Sequence, residues 1–507
     1  MNDPVLATVI STSLAVSRVL IINRPPGSIA CSALVKMLSK TRSILGASTK
    51  THLECEKSYS IETWSAPNVS FNTSLLSLPI ENDWVLLSSY EDRSLLRNVL
   101  SLNLHDKMGR YASRQRYCEV MINSQYVGIY TFGEKIKRDS LRLDIANLGP
   151  TDNSGINLTG GYIVKIDGNG DGWTSAFTPP FASGTQQIKF EYEYPSANDI
   201  IPVQKAYIKS YVDSFEAALN ASNFQDTTLG WRRFGAENSF IDFMIIQELS
   251  KNNEAYRKNT FLYKDKGTKL RPGPLWNFNL AWKNTVDCNG AVDTGWCYNF
   301  GGVCGSNGKL PPFWWNKLNS DISFMEELKC RYSYFRKPGQ PLDTVKIFAY
   351  IDSVNTYLNA SNAISRNFTK WPIWGVPIVN EPTPMATNYN EEITNFKKFI
   401  KSRITWLDTK WLSTSANCWP LATTSFDIEQ NISIYPNPST DKFTVQINNI
   451  NNEIHQIVLH DIQGMKLKSV NTNAVNTDID ISNLPNGIYF VNIKSAKGIW
   501  TKKVVKR

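Results

Sequence analysis

Across residues 239–250, Ile241, Ile245 and Leu249 recur every fourth position, flanked by Phe240 and Met244. That spacing predicts a helix with one apolar face. Similar patterning predicts helices over 94–105, 203–220 and 391–411. Upstream the character changes. Residues 59–64, 117–122, 128–132 and 161–166 are short runs rich in β-branched and aromatic side chains, which predict strands. Strands first and helices later, in one dense stretch over 56–412, predict an α+β domain.

Residues 413–428 are rich in Ser, Thr, Asn and Pro and read as a linker. Beyond them the helical pattern disappears. Phe443, Val445 and Ile447 alternate with polar residues, as do Tyr489, Val491 and Ile493. Turn signals at Pro436-Asn437-Pro438 and Pro485-Asn486-Gly487 separate the runs. Short alternating strands at this spacing predict a small all-β sandwich over 429–507.

Composition narrows the class. A chain of 507 residues exceeds one ordinary core. A hydrophobic content of 42% with 12% aromatic residues excludes a disordered polypeptide. The net charge of +9 is spread out, with no dense Lys/Arg run and no nucleic-acid motif, so a solvated basic surface is expected and nucleic acid is not an expected partner. No stretch reaches the roughly 20 apolar residues of a membrane span. Residues 5–22 are apolar but broken by Ser, Thr and Arg18, and Met1-Asn2-Asp3 precedes them. That segment reads as a strand or a damaged terminus rather than an export signal. Cys288, Cys297, Cys304 and Cys330 cluster without a CxxC zinc pattern, which suggests two disulfides in an oxidising compartment, their pairing open. His52, His105, His455 and His460 form no metal-ligand pattern.

Two stretches carry candidate chemistry. The first is Gln247-Glu248-Leu249-Ser250-Lys251-Asn252-Asn253-Glu254-Ala255-Tyr256-Arg257, with Asn259 just beyond. The second is Gly273-Pro274-Leu275-Trp276-Asn277-Phe278-Asn279-Leu280-Ala281-Trp282. Upstream lie Lys57-Ser58-Tyr59 and a hairpin-like run from Asn123 through Tyr126, Gly128 and Tyr130 to Glu134. Together these resemble the CotH family of atypical secreted protein kinases. The resemblance implies an atypical protein-kinase-like domain over 56–412 that binds ATP and magnesium and phosphorylates Ser or Thr of secreted or surface proteins. Residues 1–55 match poorly, although Gly46-Ala47-Ser48-Thr49 weakly resembles a phosphate-side loop.

The roles that the resemblance implies fall on particular residues. Glu254 and Asn277 stand where the family usually has Asp. Glu254 would orient the attacking hydroxyl, and Asn259, Asn277 and Asn279 would face the metal. Lys57, paired with Glu134, would hold the nucleotide phosphates. Arg257 would contact phosphate or cap a helix. Glu keeps the charge of Asp but carries it one methylene further out, and a displacement near 1 Å can cost about 10²-fold in rate. Asn at 277 removes a charge that magnesium prefers. Attenuated phosphoryl transfer is therefore expected. The alternative is an inactive pseudokinase that acts as a surface binding or structural protein.

The tail carries a second resemblance. Ile434-Tyr435-Pro436-Asn437-Pro438, Leu459-His460-Asp461-Ile462-Gln463-Gly464, Leu484-Pro485-Asn486-Gly487-Ile488-Tyr489-Phe490-Val491 and the basic run Lys502-Lys503-Val504-Val505-Lys506-Arg507 resemble the type A C-terminal sorting domain of the type IX secretion system. That implies an immunoglobulin-like sandwich at 429–507, handling by the secretion machinery, and release or surface attachment.

Overall fold

The computed structural model describes residues 57–413 and 432–507 apart from short internal gaps, together with Cys418 and two strands at 19–22 and 35–39. The loop at Gly46-Ala47-Ser48-Thr49 and nearly all of the linker at 413–428 lie outside the described residues. The chain divides into two compact units, Met1–Ser413 and Thr414–Arg507.

The first unit is built on two antiparallel sheets and a set of helices. Strands β1 (Val19–Ile22), β2 (Val35–Ser39), β3 (Tyr59–Ala66), β4 (Val69–Ser70), β5 (Asp83–Ser88), β6 (Gln115–Ile122) and β7 (Gln125–Glu134) form one sheet. Its order is β1-β6-β7-β5-β3-β2, with β4 on β3. The segment before residue 56 thus supplies strands to the same sheet. Ile61, Trp84, Leu86, Val120, Tyr130 and Phe132 alternate inward to make its core, as period-two patterning requires.

The second sheet joins β8 (Tyr162–Ile166), β9 (Gly172–Thr174), β10 (Lys189–Tyr194), β11 (Thr260–Lys264) and β12 (Arg271–Pro272) in the order β12-β11-β8-β10-β9. Around it pack helices at Arg97–Lys107, Pro202–Asn220, Glu237–Leu249, Ile322–Phe335, Thr344–Ala360 and Tyr389–Trp411, among others. All share one apolar core.

The Glu237–Leu249 helix departs from expectation. It is not amphipathic: every residue from Ser239 to Leu249 is buried. Its polar positions are buried because each finds a partner from a distant segment. Asp242 accepts from Arg110 at 2.6 Å and from Arg331 at 2.8 Å. Glu248 accepts from the Cys297 and Tyr298 N–H groups and the Tyr256 hydroxyl. Another buried acid, Glu216 on the Pro202–Asn220 helix, has only neutral donors within hydrogen-bond reach among the described contacts: the Ser175 hydroxyl at 2.8 Å and Trp314 Nε1 at 2.9 Å.

The cysteine expectation needs correction. Cys288 is bonded to Cys304, and Cys330 is disulfide-bonded as well. Cys297, however, is a free buried thiol, so the four clustered cysteines do not pair among themselves as two bridges.

The second unit is the expected sandwich. Strands β13 (Ile432–Tyr435), β14 (Lys442–Ile447) and β17 (Asn476–Asp480) make one antiparallel sheet. Strands β15 (His455–His460), β16 (Lys466–Thr472), β18 (Gly487–Ser495) and β19 (Gly498–Lys506) make the other. Phe443, Val445 and Ile479 from the first sheet meet Ile457, Leu459, Tyr489, Val491, Ile493 and Val504 from the second in one core. The Pro-Asn-Pro turn is clipped to β19. Asn437 donates to the Lys503 carbonyl at 2.8 Å and accepts from the Val505 N–H at 2.9 Å. Lys506 is buried, and its ammonium donates to the carbonyls of Ile481, Ser482 and Leu484, each at 2.7 Å.

Candidate functional site

Three segments of the first unit converge. The Glu237–Leu249 helix ends at a left-handed Lys251, and the chain turns through Glu254 and Asn259 into β11. Strand β11 pairs with β12, Leu262 facing Pro272 and Tyr263 facing Arg271. The hairpin register therefore returns the chain to the same end, where the Trp276-Asn277-Phe278-Asn279 stretch begins. Asn259 and Asn277 both have positive φ, 48° and 56°. Asn is among the residues that tolerate that region best, which accounts locally for the residue type.

The centre is the Glu254 carboxylate, which is buried. One oxygen, Oε2, accepts from Asn259 Nδ2 at 2.6 Å and from Asn277 Nδ2 at 3.0 Å. The other, Oε1, accepts from the Lys258 ammonium at 2.7 Å. The Asn277 side-chain oxygen faces away and accepts from the Asn279 N–H at 3.3 Å. Arg257 folds back on its own loop. Its guanidinium donates to the Asn253 carbonyl at 2.9 and 2.6 Å and lies 3.7 and 3.8 Å from the Cys288 and Cys304 sulfurs. These contacts hold the backbone of its own loop, a role that neither expectation named.

The expected pairing of Lys57 with Glu134 is not formed. Glu134 is fully buried and accepts from Arg114, at 3.0 Å from the backbone N–H and 2.9 Å from Nε. Lys57 is exposed, and its carbonyl accepts the Tyr130 hydroxyl at 3.0 Å. The register explains the separation. Glu134 sits opposite Trp84 at one end of β7, whereas Lys57 lies beyond Tyr59, whose partner is Leu86. Tyr130 and Glu134 are four residues apart on one strand, roughly 13 Å at about 3.3 Å per residue.

Other side chains hold the site that no motif marked. The Arg97–Lys107 helix supports the second stretch. Asn98 Oδ1 accepts from the Phe278 N–H at 3.1 Å, and Ser101 Oγ accepts from Trp282 Nε1 at 2.9 Å. The Trp282 N–H donates to the Ser250 carbonyl at 2.7 Å, which ties the two loops together. Glu91, just before this helix, is the second carboxylate of the site. Burial raises its pKa above the usual carboxylate value, and the charge of Glu254 raises it further, while Lys258 and a hydrogen bond from Asn279 pull it back. Asn284 donates to both the Glu91 and Asn279 carbonyls, at 2.6 and 2.7 Å. In sequence, an acid at this place reads only as the start of a helix.

Magnesium, expected from the resemblance, does not fit this donor set. It demands anionic or carbonyl oxygens in octahedral array. Here Asn259 and Asn277 present N–H groups to Glu254, and the Asn277 oxygen is already engaged. No group of three or more His, Cys, Asp or Glu that could hold a metal exists among the described residues. No helix among them is long and apolar enough to cross a membrane.

Comparison with known proteins gives two family matches. A model described as CotH kinase protein matches residues 43–407, and one described as secretion system C-terminal sorting domain matches residues 433–507. No curated protein matches the chain. The sorting domain marks the protein for secretion or the cell surface by the type IX route. The first match spans well over half of the chain, so this protein belongs to the CotH kinase protein family.

Proposed function

We propose that this protein is an exported pseudokinase: a CotH fold that works at or beyond the cell surface by binding a partner, without efficient phosphoryl transfer. One observation carries the reading. The Glu254 carboxylate is already satisfied by two amides and an ammonium, one of those amides standing where the family has an acid. A hydroxyl donor meets a carboxylate with three of its roughly four acceptor sites already filled. Phosphoryl transfer also depends almost wholly on positioning and charge neutralisation, and Asn277 removes one of the charges involved. Lys57 and Glu134 lie too far apart to act as a phosphate-holding pair, so neither is assigned a nucleotide role.

A second reading is slow phosphorylation of Ser or Thr on secreted proteins. Glu254 itself favours it, because it keeps a carboxylate five residues before Asn259, the spacing of a kinase catalytic loop. The test is transfer of labelled γ-phosphate from ATP to the protein itself and to a Ser/Thr-rich acceptor, beside a thermal shift with ATP and magnesium. The expected result is incorporation no greater than that of Glu254→Ala, and no magnesium-dependent shift. Incorporation that Glu254→Ala abolishes would overturn the proposal in favour of the second reading.

A further inference from the structure

We propose that Asn277 stands in for a divalent cation. Its amide serves as the counter-group of Glu254 and closes the site, and one change of this residue to an acid would create a cation site. The inference deepens the reading above, which takes residues 254–279 as the family's phosphoryl-transfer site.

The orientation of one amide decides which groups face Glu254. Asn277 Oδ1 accepts the Asn279 N–H at 3.3 Å, and Nδ2 donates to Glu254 Oε2 at 3.0 Å. Reversing the amide would set NH₂ against the Asn279 N–H and a carbonyl oxygen against the carboxylate. Both contacts would be repulsive, so the observed orientation is the satisfied one. Asn259 adds a second N–H to the same oxygen at 2.6 Å. A cation approaching Oε2 meets two positive amide edges and must turn at least one away.

An aspartate at position 277 would keep the turn to the Asn279 N–H and lay its other oxygen against Glu254 Oε2. Two carboxylate oxygens at that separation cannot both stay charged without a proton or a cation between them. The same backbone thus supports two chemistries. An amide gives a site complete in itself, and an acid gives one that must take up a metal ion or a proton. Glu91 and the Asn279 side chain lie beside it and would add oxygen donors.

The experiment uses Mg²⁺, Mn²⁺ and Ca²⁺ without nucleotide, so its outcome stands apart from the phosphoryl-transfer assay. Melting in EDTA and in each cation, with calorimetric titration, is compared for the full-length protein, Asn277→Asp and the double variant Glu254→Gln/Asn277→Asp. The unmodified protein should melt at one temperature throughout. Asn277→Asp should melt lower in EDTA and recover by several degrees at about a hundredfold excess of cation over its dissociation constant. The double variant replaces one acid by an amide, so it should melt like the unmodified protein in EDTA and ignore cations. It also guards against a single variant that fails to fold. A cation-dependent rise in the unmodified protein that Glu254→Gln removes would overturn the proposal. So would an Asn277→Asp protein that is fully stable in EDTA and titrates no cation.

Discussion

Glu216 should make the first unit less stable as pH rises, and Glu216→Gln should remove that loss. The side chain is 1% exposed and, among the described residues, accepts from Ser175 and Trp314. Burial pushes its pKa from the ordinary 4.5 up to about 7, nearby Asp213 adds to the rise, and the two hydrogen bonds and Lys209 oppose it. Because the folded value lies above the unfolded one, the folded protein binds more protons between these two values. Stability therefore falls as pH climbs from about 4.5 to about 7, and the loss is complete above that. The difference corresponds to about 3 kcal/mol. Glutamine keeps an oxygen for Trp314 Nε1 and carries no charge, although its NH₂ must find an acceptor. A net gain of about 1–3 kcal/mol at pH 8 is expected, shrinking to zero or reversing at pH 5. Melting of both proteins at pH 5, 6, 7 and 8 checks this, since the difference between them cancels every other titrating group. A gap that stays constant across the series would refute the reasoning, because a Glu216 whose pKa is the same folded and unfolded contributes no such slope.

Three further outcomes are expected. Replacing Cys288 and Cys304 together by Ser opens a bridge of sequence separation 16 and should lower stability by about 3 kcal/mol, read from denaturant unfolding without reductant. Asn98→Ala leaves the Phe278 N–H without its acceptor and should cost about 1–3 kcal/mol, with faster amide exchange over residues 277–283. Lys506→Met removes the ammonium that three carbonyls share. It should lower the transition of the second unit by about 2–4 kcal/mol in calorimetry of the full chain.

Which features could be read from sequence follows from the range of the forces involved. The sandwich was legible because alternation in β14 and β18 is a local signal, and both apolar sets fall on the shared core. The Glu254, Asn259 and Asn277 cluster was legible because a resemblance marked both halves, which the β11–β12 hairpin then joins. The nature of the Glu237–Leu249 helix was not. Asp242 and Glu248 look like a wetted face until Arg110, Arg331 and the Cys297–Tyr298 backbone arrive from elsewhere. Lys57 and Glu134 are a charge pair only on paper. Strand register sets their distance, and register is a property of the sheet. Glu91 was hidden for a related reason, since its neighbours in space come from two loops more than 150 residues downstream.

The clasp between Cys288 and Cys304 also sets a schedule. Cytoplasmic thiols are kept reduced, so the bridge closes only after the chain leaves the compartment where it was made. Its sulfurs lie against Arg257, the side chain that gathers the Glu254 loop. The Glu254 loop thus takes its finished shape only outside the cytoplasm, and whatever it engages is met beyond that compartment.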